Sequence, residues 1–350
     1  MTTHPQSAVS ELCADPFGEG FTRALSVHKQ LLGARFHFES SSHVLLDLVE
    51  AAYGDVPPHH LPCVAPELHI QLRLVPGGHL PKGDEPPPVQ MQSGMGWLCG
   101  VMDAANYVVI SPRQRQALIV VSEDMLAFPY HLRYELIEFA VFVLAARCLG
   151  LVPLHGACVG KDGRGVLLLG NSGAGKTTLA LHGLLHGLSF LAEDALFVQP
   201  ESMLATAVTN YVHVKSDALR LIDDPGARRW ISESPVIRRR SGVEKFEADV
   251  RRSHGQLAAS PLKLVGAVFV CAERADDPAA LLRPVPRHAI AARLQQDQPY
   301  AAGQGGWLLF QQALVEMGMY ELRRGAHLRA SVEAVSRLLD GARGEGCRDV

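Results

Sequence analysis

Apolar and polar positions alternate with short periods over the first part of this chain and shift to helical spacing later. Residues 34–38, 70–75, 97–101 and 107–110 are short apolar or alternating runs separated by turns, which predicts strands, while 42–53 carries apolar residues at helical spacing. The stretch 75–88 is rich in proline and glycine and predicts an exposed loop. From 132 to 149 the apolar residues again recur at helical spacing, and Gly150 supplies a stop. The most apolar part of that run, 139–146, is bracketed by Glu138 and Arg147 and is far too short to cross a bilayer, so it predicts a buried helix. A boundary falls near 124–129. This divides the chain into an N-terminal α+β accessory domain, 1–128, a second domain, 129–340, and a frayed tail, 341–350.

In the second domain, 157–159 and 166–169 read as two short strands around a turn containing Lys161, Asp162 and Gly163, the spacing of a β-hairpin. Leu179, Leu181, Leu184 and Leu185 then mark a helix over 177–186 that Gly187 closes. Farther on, 265–273 reads as a strand, and 286–296, 306–317 and 328–339 read as helices.

Between the hairpin and the first of these helices lies GNSGAGKTT, with Gly170, Asn171, Ser172, Gly173, Ala174, Gly175, Lys176, Thr177 and Thr178 in order. It fits the phosphate-binding pattern G-x-x-x-x-G-K-[ST]. Glycines in such a loop let backbone N–H groups converge on phosphate oxygens, and the following helix adds the positive end of its dipole. Lys176 is expected to neutralise β- and γ-phosphates, and Thr177 to offer its hydroxyl to a magnesium ion. A chance match in a chain of this length has a frequency of roughly 1% from average residue usage. The strand, loop and helix also arrive in the required order, so ATP with Mg2+ is the expected ligand. A hairpin feeding the loop is unusual, because parallel nucleotide-binding sheets reach that strand through a helical crossover.

The run LHGACVGKDGRGVLLLGNSGAGKTTLALHGLLHGLSFLAEDALFV, 154–198, resembles the catalytic core of HPr kinase/phosphorylase and of the HPr-kinase-related kinases. Three features carry the resemblance: the pair His155-Gly156 opening the hairpin, the loop preceded by a G-V-L-L strand, and an acidic pair, Glu193-Asp194, after Gly187. The FHFES segment at Phe36 and the YELRRGAHL segment, 320–328, match the related-kinase branch. The resemblance implies an α/β fold, namely a P-loop HPr-kinase-like catalytic domain related to the phosphoenolpyruvate carboxykinases, behind an N-terminal accessory domain. It also implies ATP- and magnesium-dependent phosphorylation of a hydroxyl. The favoured acceptor is a serine of a protein or peptide, and a small-molecule alcohol is the competitor.

Carried over by position, His155 lies near the phosphates or acceptor, Glu193 is the base, Asp194 joins Thr177 at the metal, and Lys176 serves transfer. The family has aspartate where this chain has Glu193, has glutamate where it has Thr178, and carries a downstream R-G-L-G signature with no counterpart here. Two other readings stay open: a nucleotide-dependent switch or scaffold that transfers nothing, and a simple ATPase. Members of the family assemble, so a homo-oligomer is compatible with the resemblance, although no segment of the sequence identifies an interface.

Composition narrows the classes. A net charge of −3 with 33 basic and 36 acidic residues argues against general affinity for nucleic acid or an anionic membrane. The seven cysteines are scattered and form no C-x-x-C pair. They therefore suit a reducing cytoplasm, and the first residues lack the pattern of a secretory signal.

Three weaker signals remain. His182 and His186 have the spacing of two metal ligands on a helix but no acidic third ligand. Arg228, Arg229, Arg238, Arg239, Arg240, Arg251 and Arg252 form the densest basic region, a source of phosphate contacts or of an arginine finger. The strand ending at Glu273 imitates a second metal-binding carboxylate strand.

Overall fold

Strict alternation in ARFHFES places Phe36 and Phe38 on one face, both fully buried, with Arg35 on the other. The strand Ala34–Ser40 is one of seven in a mixed sheet. In spatial order these are Leu25–Leu31, Ala34–Ser40, Glu67–Val75, Gln116–Ser122, Tyr107–Ser111, Trp97–Val101 and Gln90–Gly94. The second, third and fourth strands in that order run parallel; the others pair antiparallel. The computed structural model describes residues 24–78, 85–275, 277, 280–325 and 327–341. Most of the predicted tail, residues 79–84 of the predicted 75–88 loop, Cys13 and Cys347 lie outside them.

The helix expected at 42–53 is His43–Tyr53, which buries Leu45, Leu46, Val49, Ala52 and Tyr53 against this sheet. The helical run expected at 132–149 begins earlier and is not uniform. Pro129 opens a first turn over Pro129–His131, Leu132–Glu138 is wound as a π-helix, and Phe139–Leu149 returns to α geometry. Gly150 ends it with a left-handed φ of 64°. Leu132, Leu136, Ala140, Val141 and Leu144 all join the apolar core beneath the first sheet. An apolar period near four residues cannot distinguish the two windings, so the sequence conceals the π stretch.

The second sheet has nine strands. Its main path runs Ser189–Ala192, Ala157–Lys161, Arg164–Leu169, Leu262–Arg274, Leu204–Thr206, Ala195–Gln199 and Val152–His155. Met319–Arg324 also lies parallel to Leu262–Arg274 and pairs with Leu282–Pro284. The predicted hairpin is present, with Arg164 opposite Lys161, and Asp162 and Gly163 at φ 51° and 75° make its two-residue turn. On its other side the strand Arg164–Leu169 pairs in parallel with Leu262–Arg274, so the segment entering the phosphate loop is central and apolar from Val166 to Leu169.

Helices Lys176–Leu185 and Leu328–Gly341 share one apolar cluster with this sheet. Arg287–Asp297 and Trp307–Met317 share another. A small third sheet, Tyr211–Val214, Glu244–Asp249 and Val236–Arg238, is antiparallel. The whole is a mixed α/β protein.

Specific bonds join the two halves. The buried His59 ring faces Thr206 Oγ1 at 2.8 Å and the Ala258 carbonyl at 3.0 Å. Arg251 donates to the carbonyl oxygens of Gly54 and Ala51, and Asn210 donates to that of Ala52 at 3.2 Å.

Candidate active site

The phosphate-loop motif occupies the turn between the central strand Arg164–Leu169 and helix Lys176–Leu185, as its sequence context requires. Gly170 has φ 124°, and a Cβ there would lie 2.7 Å from the carbonyl oxygen of Val270 on the neighbouring strand. Only glycine lets the chain leave the sheet so close to that strand. Gly175, with φ 108°, starts the helix. Lys176 is buried, and its ammonium turns back to donate to the carbonyls of Gly170 and Asn171. Burial pushes its pKa down, against the opposing charges of Asp297, Asp194 and Glu193.

The acidic pair ends strand Ser189–Ala192 and leads into Ala195–Gln199, which brings both carboxylates to the loop. Their environments differ. Glu193 is 5% exposed. Its Oε2 accepts from Thr177 Oγ1 at 2.6 Å, and its Oε1 accepts from the backbone N–H of His213 at 3.0 Å and faces His213 Nδ1 at 2.8 Å. Burial alone would raise its pKa, but hydrogen bonding and charge from His213 outweigh that and lower it.

Asp194, whose side chain is 32% exposed, lies 3.1 Å from His155 Nδ1 and accepts from Arg239 Nη2 at 3.0 Å. Burial again acts upward, but the bond from His155 and the charge of Arg239 hold this carboxyl well below its usual range. His155 is placed by its backbone. Its N–H donates to Gln298 Oε1 and its carbonyl accepts from Gln298 Nε2, both at 2.8 Å, and it pairs with Ala195 across the sheet.

These groups line one cavity of about 620 Å³, which His155, Asn171, Ser172, Gly173, Gly175, Lys176, Thr177, Thr178, Glu193 and Asp194 share with Lys215, Lys245 and Arg239. Gly170 and Ala174 support the loop from beneath, and Ala174 lines an adjoining cavity. Thr177 and the two carboxylates offer hard oxygen donors, the set that magnesium takes alongside phosphate oxygens. No cluster of three or more His, Cys, Asp or Glu side chains that could hold a metal by themselves occurs among the described residues.

The weaker signals resolve differently. The His182 and His186 rings are stacked 5.9 Å apart, and His186 Nδ1 faces the His182 carbonyl at 2.8 Å. Glu273 is 76% exposed and faces Arg323 at 3.7 Å, outside the cavity. The basic region disperses: Arg239 alone enters the site, Arg240 binds Glu135, Arg251 binds Asp249, and Arg229 binds Glu233. Nothing in the sequence distinguished Arg239 from its neighbours. His213, Glu247 and Arg133 lie far from the motif in sequence and carried no signal of their own.

The described cysteines, Cys63, Cys99, Cys148, Cys158 and Cys271, are all free thiols. Among the described residues no helix is long and apolar enough to cross a membrane.

No protein-family model matches the chain, and no curated protein matches it. Among solved structures it aligns with the Hpr(Ser) kinase/phosphatase from Coxiella burnetii at 14% identity and a TM-score of 0.25, over 55% of this chain and 95% of that one.

Proposed function

We propose that this protein is an ATP- and magnesium-dependent phosphotransferase that moves the γ-phosphoryl group to a hydroxyl, with a serine of a protein or peptide as the favoured acceptor and a small-molecule alcohol as the competitor. One observation carries the reading: the phosphate-loop lysine and threonine share a cavity with two carboxylates in contrasting environments, one buried and fixed to Thr177 and one partly exposed between His155 and Arg239. Phosphoryl transfer asks a protein chiefly for positioning and charge neutralisation. Lys176 and the loop N–H groups would hold the β- and γ-phosphates. Thr177 and the neighbouring carboxylates would hold magnesium, which would supply further charge neutralisation there.

Glu193 and Asp194 would divide the remaining work. Glu193 has both oxygens engaged, so it fixes the Thr177 hydroxyl and places negative charge next to the metal position. Asp194, paired through Oδ1 with His155 and through Oδ2 with Arg239 but a third exposed, borders the cavity with His155, so these two would orient an incoming hydroxyl, and Asp194, in place of the Glu193 expected from the sequence, would accept its proton as the bond forms. Arg239 would balance the charge that builds on the transferring group. A switch that only binds nucleotide needs no such open carboxylate and base.

The test is to incubate the protein with magnesium, γ-labelled ATP and an extract from its own source, then resolve labelled proteins, peptides and small molecules. Label on an acceptor that disappears with Lys176→Ala supports the reading and gives the acceptor class. Tight nucleotide binding with label on neither acceptor nor water would instead favour the switch.

A further inference from the structure

A second cavity, of about 870 Å³, adjoins the first at the start of helix Lys176–Leu185. Gly175, Thr178, Arg220, Leu221 and Arg324 line both, so one elongated ligand can pass between them. Lys176, Thr177, Glu193 and Asp194 line only the first, whereas Ala174, Leu179 and His182 line only the second. The strand ahead of the loop runs parallel to Leu262–Arg274, which in turn runs parallel to Met319–Arg324. Val270, Cys271 and Arg274 with Leu322, Arg323 and Arg324 build the second cavity at the carboxyl ends of those two strands, where parallel sheets take their ligands. The first turn of helix Leu328–Gly341 closes it. The YELRRGAHL segment, 320–328, reaches the first cavity only through Arg324 but forms a wall of the second.

The lining of this cavity is mixed. Leu179, Leu221, Val270, Leu322 and Leu328 give apolar surface to a planar ring, and Asp223 and Ser331 offer partners to hydroxyl groups. His182 is 3% exposed, and its Nε2 has no hydrogen-bond partner among the described residues, although buried ring nitrogens are ordinarily paired. Burial pushes its pKa down, so at neutral pH the ring is uncharged and carries one donor and one acceptor. At the junction, Arg324 Nη2 comes within 4.0 Å of the point where a Cβ on Gly175 would stand, so its guanidinium overhangs the loop. A nucleotide with its β- and γ-phosphates at Lys176 and its γ-phosphate toward Asp194 leads its α-phosphate past Thr178 and its nucleoside away from the carboxylates.

We propose that the second cavity takes the nucleoside of the bound nucleotide, with Arg220 and Arg324 at the α-phosphate and His182 as a specificity-determining partner of the base or ribose. The inference rests on the nucleotide reading of the phosphate loop, but not on transfer to any acceptor. A separate phosphate-bearing ligand would use the same arginines and leave the apolar walls without a partner.

The experiment is calorimetric titration of the full chain with MgATP and with magnesium tripolyphosphate, which has three linked phosphates and no nucleoside. MgATP should bind at least about tenfold more tightly, because a pocket that buries the nucleoside adds contacts that phosphates alone do not make. Ala330→Trp, which fills the cavity from the first turn of its helix, should reduce MgATP to the affinity of tripolyphosphate and leave tripolyphosphate unchanged. His182→Ala should weaken MgATP by about three- to tenfold, the loss of one net hydrogen bond, again with tripolyphosphate unchanged. Should Ala330→Trp lose tripolyphosphate as well, its fold has failed and His182→Ala decides alone. Equal binding of the two compounds by the wild type overturns the proposal. A preference for MgATP that survives filling of the cavity overturns the placement of the nucleoside, and one undiminished in His182→Ala overturns the role of that ring. If neither compound binds, the phosphate-loop reading itself fails and the inference falls with it.

Discussion

Lys176 donates to the carbonyls of Gly170 and Asn171 in its own loop, and in the proposed reading the same ammonium would turn to phosphate oxygens. Replacing it by alanine should weaken MgATP binding by at least about tenfold, since a charge-assisted hydrogen bond contributes about 1.5–3 kcal/mol; calorimetric titration checks this. Gly170→Ala tests the loop backbone. At φ 124°, with Val270 O 2.7 Å from the added Cβ, it should destabilise the fold by about 1–3 kcal/mol and weaken nucleotide binding, read by thermal melting and by the same titration.

At this scale the sequence was legible where a contiguous motif sets local structure: nine neighbouring residues make the turn between strand Arg164–Leu169 and helix Lys176–Leu185. The division of labour between Glu193 and Asp194 was not legible. It depends on which carboxylate meets Thr177 and which meets Arg239, contacts spanning 16 and 45 residues of chain.

Among the elements, the turn after strand Val236–Arg238 carries three consecutive arginines with different partners. Arg238 faces Glu85 at 3.5 Å, Arg239 reaches Asp194, and Arg240 binds Glu135 through two nitrogens. The outer two thus hold the turn against the N-terminal half, while the middle one enters the cavity. Arg239→Ala should raise the Asp194 pKa toward the ordinary carboxylate range and reduce turnover. Arg240→Ala should cost no more than about 1 kcal/mol of stability, because the ion pair it removes is partly exposed. Denaturant melts and a pH profile of turnover separate the two effects.

The sequence showed the hairpin, the loop helix and the helices after residue 286, because each has a clear period and a glycine or proline boundary. It did not show Ser189–Ala192, an apolar strand of four residues too short for a period to register, nor Tyr211–Val214 and Glu244–Asp249, short strands bearing polar side chains inward. In those strands His213 and Glu247 are buried for each other's sake and break the apolar alternation that signals a strand.

Over the whole molecule, the buried polar chain that runs from Thr177 through Glu193, His213, Glu247 and Arg133 to Glu138 makes stability depend on pH in a defined direction. Burial lowers the His213 pKa by itself, but the bonds to Glu193 and Glu247 outweigh it, so the folded pKa is raised. A raised histidine pKa means that the folded state binds the proton more tightly than the unfolded one. Its contribution is complete below about 6.5 and is lost as pH rises through the folded value. Glu138 acts in the same direction: burial raises its pKa to about 7, so stability falls as pH climbs from the ordinary carboxylate range toward that value. Glu193 and Glu247 have lowered values, so their contribution is lost on the acid side instead. Melting temperature should therefore decline on the alkaline side of pH 6.5. Glu138→Gln should flatten the part below about 7, and His213→Gln the part above. The helical stretch Leu132–Glu138, which packs against the core of the first sheet and supplies Arg133, Tyr134 and Glu138 to this polar chain, is expected to affect the site even where it touches no ligand.

The central claim is that the γ-phosphoryl leaves ATP for a hydroxyl and not for water. Single-turnover incubation with γ-labelled MgATP and the isolated acceptor, quenched over time, measures that partition directly. The account predicts label on the acceptor in the wild type, no transfer with Lys176→Ala, and intact nucleotide binding but transfer reduced by about 100-fold or more with Asp194→Asn. Label appearing only as free phosphate, or transfer undiminished in Asp194→Asn, would contradict it.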